Sequence, residues 1–297
     1  MTTVPALSCD GLGKRFRSKW ALRDCSLRIP AGSVTALVGP NGAGKTTLLQ
    51  LAVGISAPSA GEIETLGWSP QRDPLMVLPR IGFLAQDHPL YRGFTLAEML
   101  TFGRKLNSRW DDEAARRRLD GLGLALTQRV GKLSGGQQAQ VALTLALAKR
   151  PEILLLDEPA ASLDPLARRE FLQGLMEAVA EHGVTVVLSS HILAELERVC
   201  DHLVILSRGR VALAGDTEEI VRSHRLLTGA RRDVDEIAQL HSVIRATTTE
   251  RQTTALVHAN GHVYDSHWRV SDVDLEQIVL AYLALDPSPS PGPVAVR

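Results

Sequence analysis

The chain has 297 residues, 44% hydrophobic and 22% charged, and its 33 basic side chains are matched by 33 acidic ones. This fits one large domain plus a smaller one, and a neutral chain lacks the basic field that nucleic-acid binding uses, so no nucleic-acid partner is expected. Cys9, Cys25 and Cys200 lie far apart with no paired spacing, which argues against a disulfide framework or zinc site and for small buried side chains in a reducing compartment.

In chain order, the start MTTVPALSCDGLGKRF has no apolar stretch of the signal-peptide kind. No later apolar run reaches the ~18 residues that span a bilayer, so a cytosolic chain is expected. Leu22–Ile29 and Ser33–Val38 read as strands, Gly44–Val53 as a helix and Ile81–Ala85 as a further strand. Between residues 87 and 150 the pattern turns helical: Thr95 and Glu98 are spaced as a capping box, and Arg109–Leu119 is strongly charged. Strands return at Ile153–Leu156, Val184–Ser189 and Leu203–Leu206, with helical segments between them. The alternation predicts an α/β fold with a mostly parallel sheet, the helical block being an insertion into it.

Past Thr228 the pattern weakens. Thr253–His258 and Val263–Val270 are expected to pair across Asn260-Gly261, a dipeptide suited to tight hairpins. Ser271–Asp274 then reads as a cap for a helix over Leu275–Leu285, and PSPSPGPVAVR as a disordered tail. The expected domains are therefore 5–228, holding a helical subdomain at 87–150, an accessory α+β unit at 229–285, and the tail at 286–297.

GPNGAGKTT, Gly39–Thr47, lies after a strand and before a helix, the context a P-loop requires. Gly39, Pro40, Asn41, Gly42, Ala43 and Gly44 would curl the backbone so that its N–H groups face phosphate oxygens. Lys45 would supply a point charge to the β- and γ-phosphates, and Thr46, next to Thr47, a hydroxyl for Mg²⁺. A P-loop alone specifies only a nucleoside triphosphate. ILLLDE, Ile153–Glu158, adds a buried strand delivering two carboxylates at its C-terminal end, where open α/β sheets gather their ligands. Asp157 is placed to hold Mg²⁺ and Glu158 to polarise an attacking water. KLSGGQQAQ, Lys132–Gln140, reads as a second helix N-terminus with bare amides at Ser134, Gly135, Gly136 and Gln137. It stands far beyond Lys45, across the helical insertion, and a two-fold-related second copy could bring it onto its neighbour's γ-phosphate.

GPNGAGKTT, LSGGQ and LLLDEP in this order resemble the ATP-binding cassette (ABC) family over about Pro5 to Ile220. The resemblance implies a P-loop NTPase core with an antiparallel β subdomain, Mg²⁺-dependent ATP hydrolysis, and a dimer, homo- or heteromeric, that sandwiches two ATP molecules. It also implies roles for single residues. Gln86 matches the Q-loop glutamine that reaches Mg²⁺ and the water; His191 matches the switch histidine near the γ-phosphate; Asp164 lies in the D-loop that communicates across the dimer. Phe16 falls where an aromatic stacks on adenine, with Trp20 a nearby competitor.

The sequence departs from the family pattern at Pro159-Ala160-Ala161-Ser162, which lacks two hydroxyls common in relatives, and at Gln138-Ala139-Gln140, neutral where many carry arginine. With no span of its own, the chain is expected to work with a separate transmembrane permease subunit at the cytoplasmic membrane face, docked near residues 86–109, where Pro89, Tyr91, Phe94 and Phe102 lie. The short C-terminal unit resembles that of exporter-type ATPases for drugs, antibiotics, lipids or polysaccharides. The alternatives are an importer ATPase and a soluble ABC ATPase acting on ribosomes or nucleic acid. The substrate is not encoded in this chain.

Overall fold

The computed structural model describes residues 4–190, 199–259, 261 and 267–285. The chain opens with the antiparallel hairpin β1 (Leu7–Phe16) and β2 (Lys19–Ile29), passes through β3 (Val34–Val38) and α1 (Lys45–Ala52), and returns in β4 (Ala60–Thr65) to pair with β1. After α2 (Pro74–Val77), β5 (Ile81–Leu84) leads into three helices, α3 (Leu96–Leu106), α4 (Asp112–Gly121) and α5 (Gly135–Ala148). Then come β6 (Ile153–Asp157), α6 (Pro165–His182), β7 (Thr185–Ser190), β8 (His202–Ser207), β9 (Arg210–Asp216) and α7 (Thr217–Ser223). The remainder is β10 (His224–Ala230), α8 (Asp235–Leu240), β11 (Ser242–Thr248), β12 (Gln252–His258), β13 (Arg269–Ser271) and α9 (Leu275–Ala284).

Every residue of β3 and β6 is buried, the signature of strands covered on both faces. They sit inside a six-stranded sheet ordered β5-β6-β7-β3-β8-β9, parallel except for the edge strand β9. Side chains alternate between two cores, as the two-residue period of a strand dictates. Leu154, Leu156, Val186 and Leu188 face α5, α6 and α9 through Leu143, Phe171, Leu175 and Ile278. Ile153, Leu155 and Val187 face α1 and the β2-β1-β4 sheet through Leu48, Leu49, Leu12 and Ile63. The three cysteines are buried and unbridged, and burial pushes the Cys9 and Cys200 thiols up to about 12.

The helical insertion has its own core, from Leu96 and Leu100 through Leu119 to Val130 and Val141. Thr95 and Glu98 form the expected capping box on α3, whereas the charged stretch becomes α4 only from Asp112, because Asp111 caps it. Asp111 also pairs with Arg150 at 2.6 Å. At the N-terminal end of β6, Arg80 grips both oxygens of Glu152 at 2.8 and 2.6 Å and Arg109 adds a third bond at 3.0 Å. These guanidinium bonds hold the Glu152 carboxyl down at about 2.

The C-terminal segment differs from expectation in its pairing. The sheet order is β11-β12-β10-β13, so β12 lies between β10 and β11, and β13 pairs with β10. The expected pairing of Thr253–His258 with Val263–Val270 is therefore corrected. The hairpin turn lies instead at Thr249–Arg251, where the Thr249 hydroxyl accepts the Gln252 amide at 3.1 Å. β11 escapes a pattern search because all its residues are partly or fully exposed. The new sheet begins at His224, so β10 runs through the boundary expected at 228. Asp274 and Gln277 form the capping box of α9, and Ile278, Val279 and Tyr282 of that helix enter the same core as β3 and β6.

His224 joins the pieces. It is fully buried; its Nδ1 meets the Ile220 carbonyl at 2.7 Å and its Nε2 the Tyr282 hydroxyl at 3.0 Å. The neutral ring therefore donates from Nδ1 and accepts from Tyr282. Burial, with His258 and Arg225 close by, lowers His224 from 6.5 to about 4. An unfolded chain takes up this proton before the folded one, so the stability is present above pH 6.5 and is lost as pH falls towards 4. The loss is at most about 3 kcal/mol. Thermal melts at stepped pH should show this slope, and His224→Gln should flatten it.

Candidate functional site

β3 ends at Val38, and residues 39–44 turn back to start α1 at Lys45. Gly39 abuts β8, where a Cβ would lie 2.3 Å from the Leu206 carbonyl oxygen. Gly44 caps α1 at φ +107°, and a Cβ there would meet Leu22 at 2.5 Å and the Ala21 carbonyl at 2.8 Å. No other residue fits a left-handed backbone pressed this closely against β2. The first turn of α1 is thereby fixed over the sheet, with Lys45 buried and Thr46 exposed.

Lys45 Nζ donates to the Gly39 carbonyl at 2.7 Å and the Pro40 carbonyl at 3.3 Å, and pairs with Glu158 Oε1 at 3.1 Å. Strand order explains the meeting. β6, which carries Asp157 and Glu158, is separated from β3 by β7 alone, a gap of ~10 Å that a lysine leaving the P-loop can bridge. Asp157 is only 2% exposed. Glu158 adopts φ +44°, a left-handed conformation that costs a non-glycine residue ~1 kcal/mol.

One residue holds both carboxylate positions and was not assigned from sequence. Ser189, fully buried on β7, donates its hydroxyl to Asp157 Oδ1 at 2.8 Å and accepts the Glu158 amide at 2.8 Å. The available signal was a serine in VVLSSH, at the end of the strand beside β6. Ser189→Ala would leave a buried carboxylate oxygen and a strained amide without these bonds, costing ~1–3 kcal/mol. A lower melting temperature with reduced ATP turnover is the expected result, read by calorimetry and phosphate release.

The other expected site residues are placed as follows. Leu84 is in register with Leu156, so exposed Gln86 leaves the sheet on a level with Glu158. Ser134 caps α5: its hydroxyl accepts the Gln137 amide at 3.2 Å, and Gln137 Oε1 accepts the Ser134 amide at 3.0 Å. No bond from this capping box to the P-loop occurs among the described residues, and the Gly135 side of the helix is open to solvent. Asp164 caps α6, accepting the Leu166 and Ala167 amides at 3.0 Å. Between it and Glu158, the hydroxyl-poor loop is held by backbone turns and by Arg168, which donates to the Ala160 and Leu163 carbonyls.

Phe16 and Trp20 lie near the turn of the β1–β2 hairpin, 50% and 38% exposed, beneath Lys14 and Arg15 respectively. Trp20 packs over Gly13, whose Cβ would lie 2.8 Å from the indole, leaving Phe16 the more open ring. His191 lies outside the described residues.

A buried lysine from a glycine-rich turn, paired with an acid that ends the neighbouring buried strand, defines a P-loop nucleoside triphosphatase. The sequence matches the model of the family described as "ABC transporter" over residues 22–161. It is 36% identical to an uncharacterized ABC transporter ATP-binding protein, YxlF, of Bacillus subtilis, over 72% of each chain. Identity is 34% to the Nod factor export ATP-binding protein I of Rhizobium johnstonii (73% of this chain, 71% of the relative) and 36% to the nickel import ATP-binding protein NikO of Rhodobacter capsulatus (77% and 96%).

Among solved structures, the ATP-binding subunit of an ABC transporter superimposes with a TM-score of 0.66 at 30% identity, covering 73% of this chain and 92% of that one. The cassette MJ0796, solved as a dimer bound to ADP and Pi, gives 0.64 at 25% identity, covering 71% and 98%. The chain belongs to the ABC transporter ATP-binding family and is an ATPase of that class.

Proposed function

We propose that this chain is the ATPase subunit of an exporter, working as a dimer beneath a separate membrane subunit. The Lys45–Glu158 pair carries the hydrolytic part of this reading. A γ-phosphate entering the P-loop would take over Lys45, and Glu158, released from it, would face the phosphate as the group that orients and deprotonates water. Thr46, Asp157 and Gln86 are hard oxygen donors, the set that suits Mg²⁺; bound there, the cation would neutralise charge on the β- and γ-phosphates. Ser134 and the Gly135 and Gly136 amides would complete the site on the partner's ATP, Asp164 would lie at the dimer contact, and Phe16 would stack on adenine.

No helix among the described residues is long and apolar enough to cross a membrane, which supports a peripheral chain on a membrane partner. Tyr91 stacks on Phe94 at 5.1 Å and meets Phe102 edge-on at 5.3 Å while remaining 55% exposed, an aromatic surface suited to such a partner. Direction rests on likeness to a Nod factor export protein; nickel, sulfate and Fe(3+) import proteins are similarly close. Gentle solubilisation should co-purify an integral membrane protein, whereas ribosomes or DNA in its place would overturn the transport reading. In inside-out vesicles bearing both subunits, labelled drugs, lipids or glycans should accumulate on adding Mg-ATP. Accumulation only in right-side-out vesicles would make the chain an importer ATPase.

A further inference from the structure

The neutral Gln138-Ala139-Gln140 has a physical explanation on α5. Gln138 donates to the Leu133 carbonyl at 2.9 Å, bracing the capped turn. Gln140, 6% exposed, presents Oε1 to Arg118 of α4 at 3.3 Å, and Arg118 also donates to the Gly174 carbonyl of α6 at 3.2 Å. Arg118 enters because residue 174 has no side chain: a Cβ there would lie 2.5 Å from its terminal nitrogen. Its Nε is buried with no acceptor among the described residues, and burial lowers its pKa although Glu177 and Glu181 on α6 pull it the other way. A cation at position 140 would face Arg118, which is why a neutral amide suits it. A second contact joins the same helices at the signature turn, where a Cβ on Gly136 would lie 2.8 Å from Ala167 of α6.

We infer that Arg118 is a positioning residue for ATP hydrolysis, fastening signature helix α5 of the helical insertion to α6 through Gln140 and Gly174. α6 is the helix that follows Glu158 and is capped by Asp164. The fork therefore sets where Ser134, Gly135 and Gly136 stand relative to the chain's own catalytic strand. It also lines an open groove of about 1290 Å³ between α4 and α6, at the N-terminal ends of β6 and β7 and so at the opposite end of the sheet from the P-loop. The fork thus lies away from the nucleotide and the attacking water. The inference rests on the reading that Ser134–Gly136 serve the partner's ATP.

Gly174→Ala isolates the fork, because it ejects a flexible guanidinium while replacing a helical glycine with a better helix former. The full chain should keep or raise its melting temperature and bind a fluorescent ATP analogue as before, yet lose about tenfold in kcat, the scale of a misplaced catalytic geometry. Arg118→Ala should lose as much, and the double variant no more, since both remove one contact. Gln140→Arg, placing two cations together, should also lower kcat without weakening single-chain binding. Unchanged kcat in Gly174→Ala, or additive losses in the double variant, would overturn the inference; Gln140→Arg and Gly174→Ala decide it if Arg118→Ala is recovered unfolded. Ser134→Arg run alongside separates the two readings: normal turnover there defeats the shared site itself, whereas loss there with intact Gly174→Ala defeats the fork alone.

Discussion

Replacing Glu158 with Gln should abolish steady-state ATP turnover, a fall of ~10²–10⁴-fold in kcat for loss of a general base, while ATP binding persists or tightens. The amide keeps the shape of the side chain and an acceptor oxygen for Lys45, which lies 3.1 Å from Glu158 Oε1. It removes the negative charge. Lys45 then faces neutral oxygens, the Gly39 and Pro40 carbonyls and the new side-chain amide, in a nearly buried setting. A buried cation stripped of its counter-charge is destabilised, so a triphosphate becomes a more welcome partner. The variant should bind ATP at least as tightly as the native chain and hydrolyse it far more slowly. Equilibrium binding and single-turnover phosphate release measure the two halves separately, and native turnover in Glu158→Gln would sink the assignment of Glu158.

Much of this site was legible because its chemistry is written in short stretches. Gly39–Thr47 and Ile153–Glu158 each combine a strand, a turn and reactive groups within a few residues, and the local pattern fixes their conformation. The contacts between stretches were not legible. Ser189 joins Asp157 and the Glu158 amide only because β7 lies next to β6, and nothing in VVLSSH says which strand is its neighbour. The same is true of Gln140, whose neutrality makes sense only once α4 delivers Arg118 and α6 leaves a gap at Gly174. The C-terminal pairing was misread for a related reason. Asn260-Gly261 is a strong local turn signal, whereas β11 is an exposed strand with weak alternation, and the chain takes the pairing that buries Leu227, Ala255 and Val257 against Trp268. Local turn preference is worth little beside an apolar core.

Ser134→Arg should likewise abolish turnover, by at least ~10²-fold, the scale of losing a donor that stabilises transition-state charge, but should leave ATP binding by a single chain intact. Within one chain the Ser134–Gln137 capping box makes no hydrogen bond to the P-loop among the described residues, and the α5 terminus opens to solvent at Gly135. An arginine there places bulk where a second chain's γ-phosphate would sit. It also removes the cap, at ~1 kcal/mol, so Ser134→Ala is the control: it loses the same cap and the same hydroxyl donor without the obstruction, so its loss should stop at ~10²-fold while Ser134→Arg falls below it.

Mixing sharpens the test. Chains carrying Ser134→Arg retain Lys45, and chains carrying Lys45→Ala retain Ser134, so each preparation alone has only defective sites. If each site joins one chain's P-loop to the other's α5, half the dimers in an equal mixture contain one intact site of two. Single-turnover hydrolysis should then return to about a quarter of native amplitude, as two-fold symmetry requires. A site built wholly within one chain cannot be restored this way, and a silent mixture would place Ser134 in service of its own Lys45. The capped α5 terminus packs against Ala167 of α6 and makes no hydrogen bond to its own P-loop among the described residues, which is the physical reason to expect the mixture to revive.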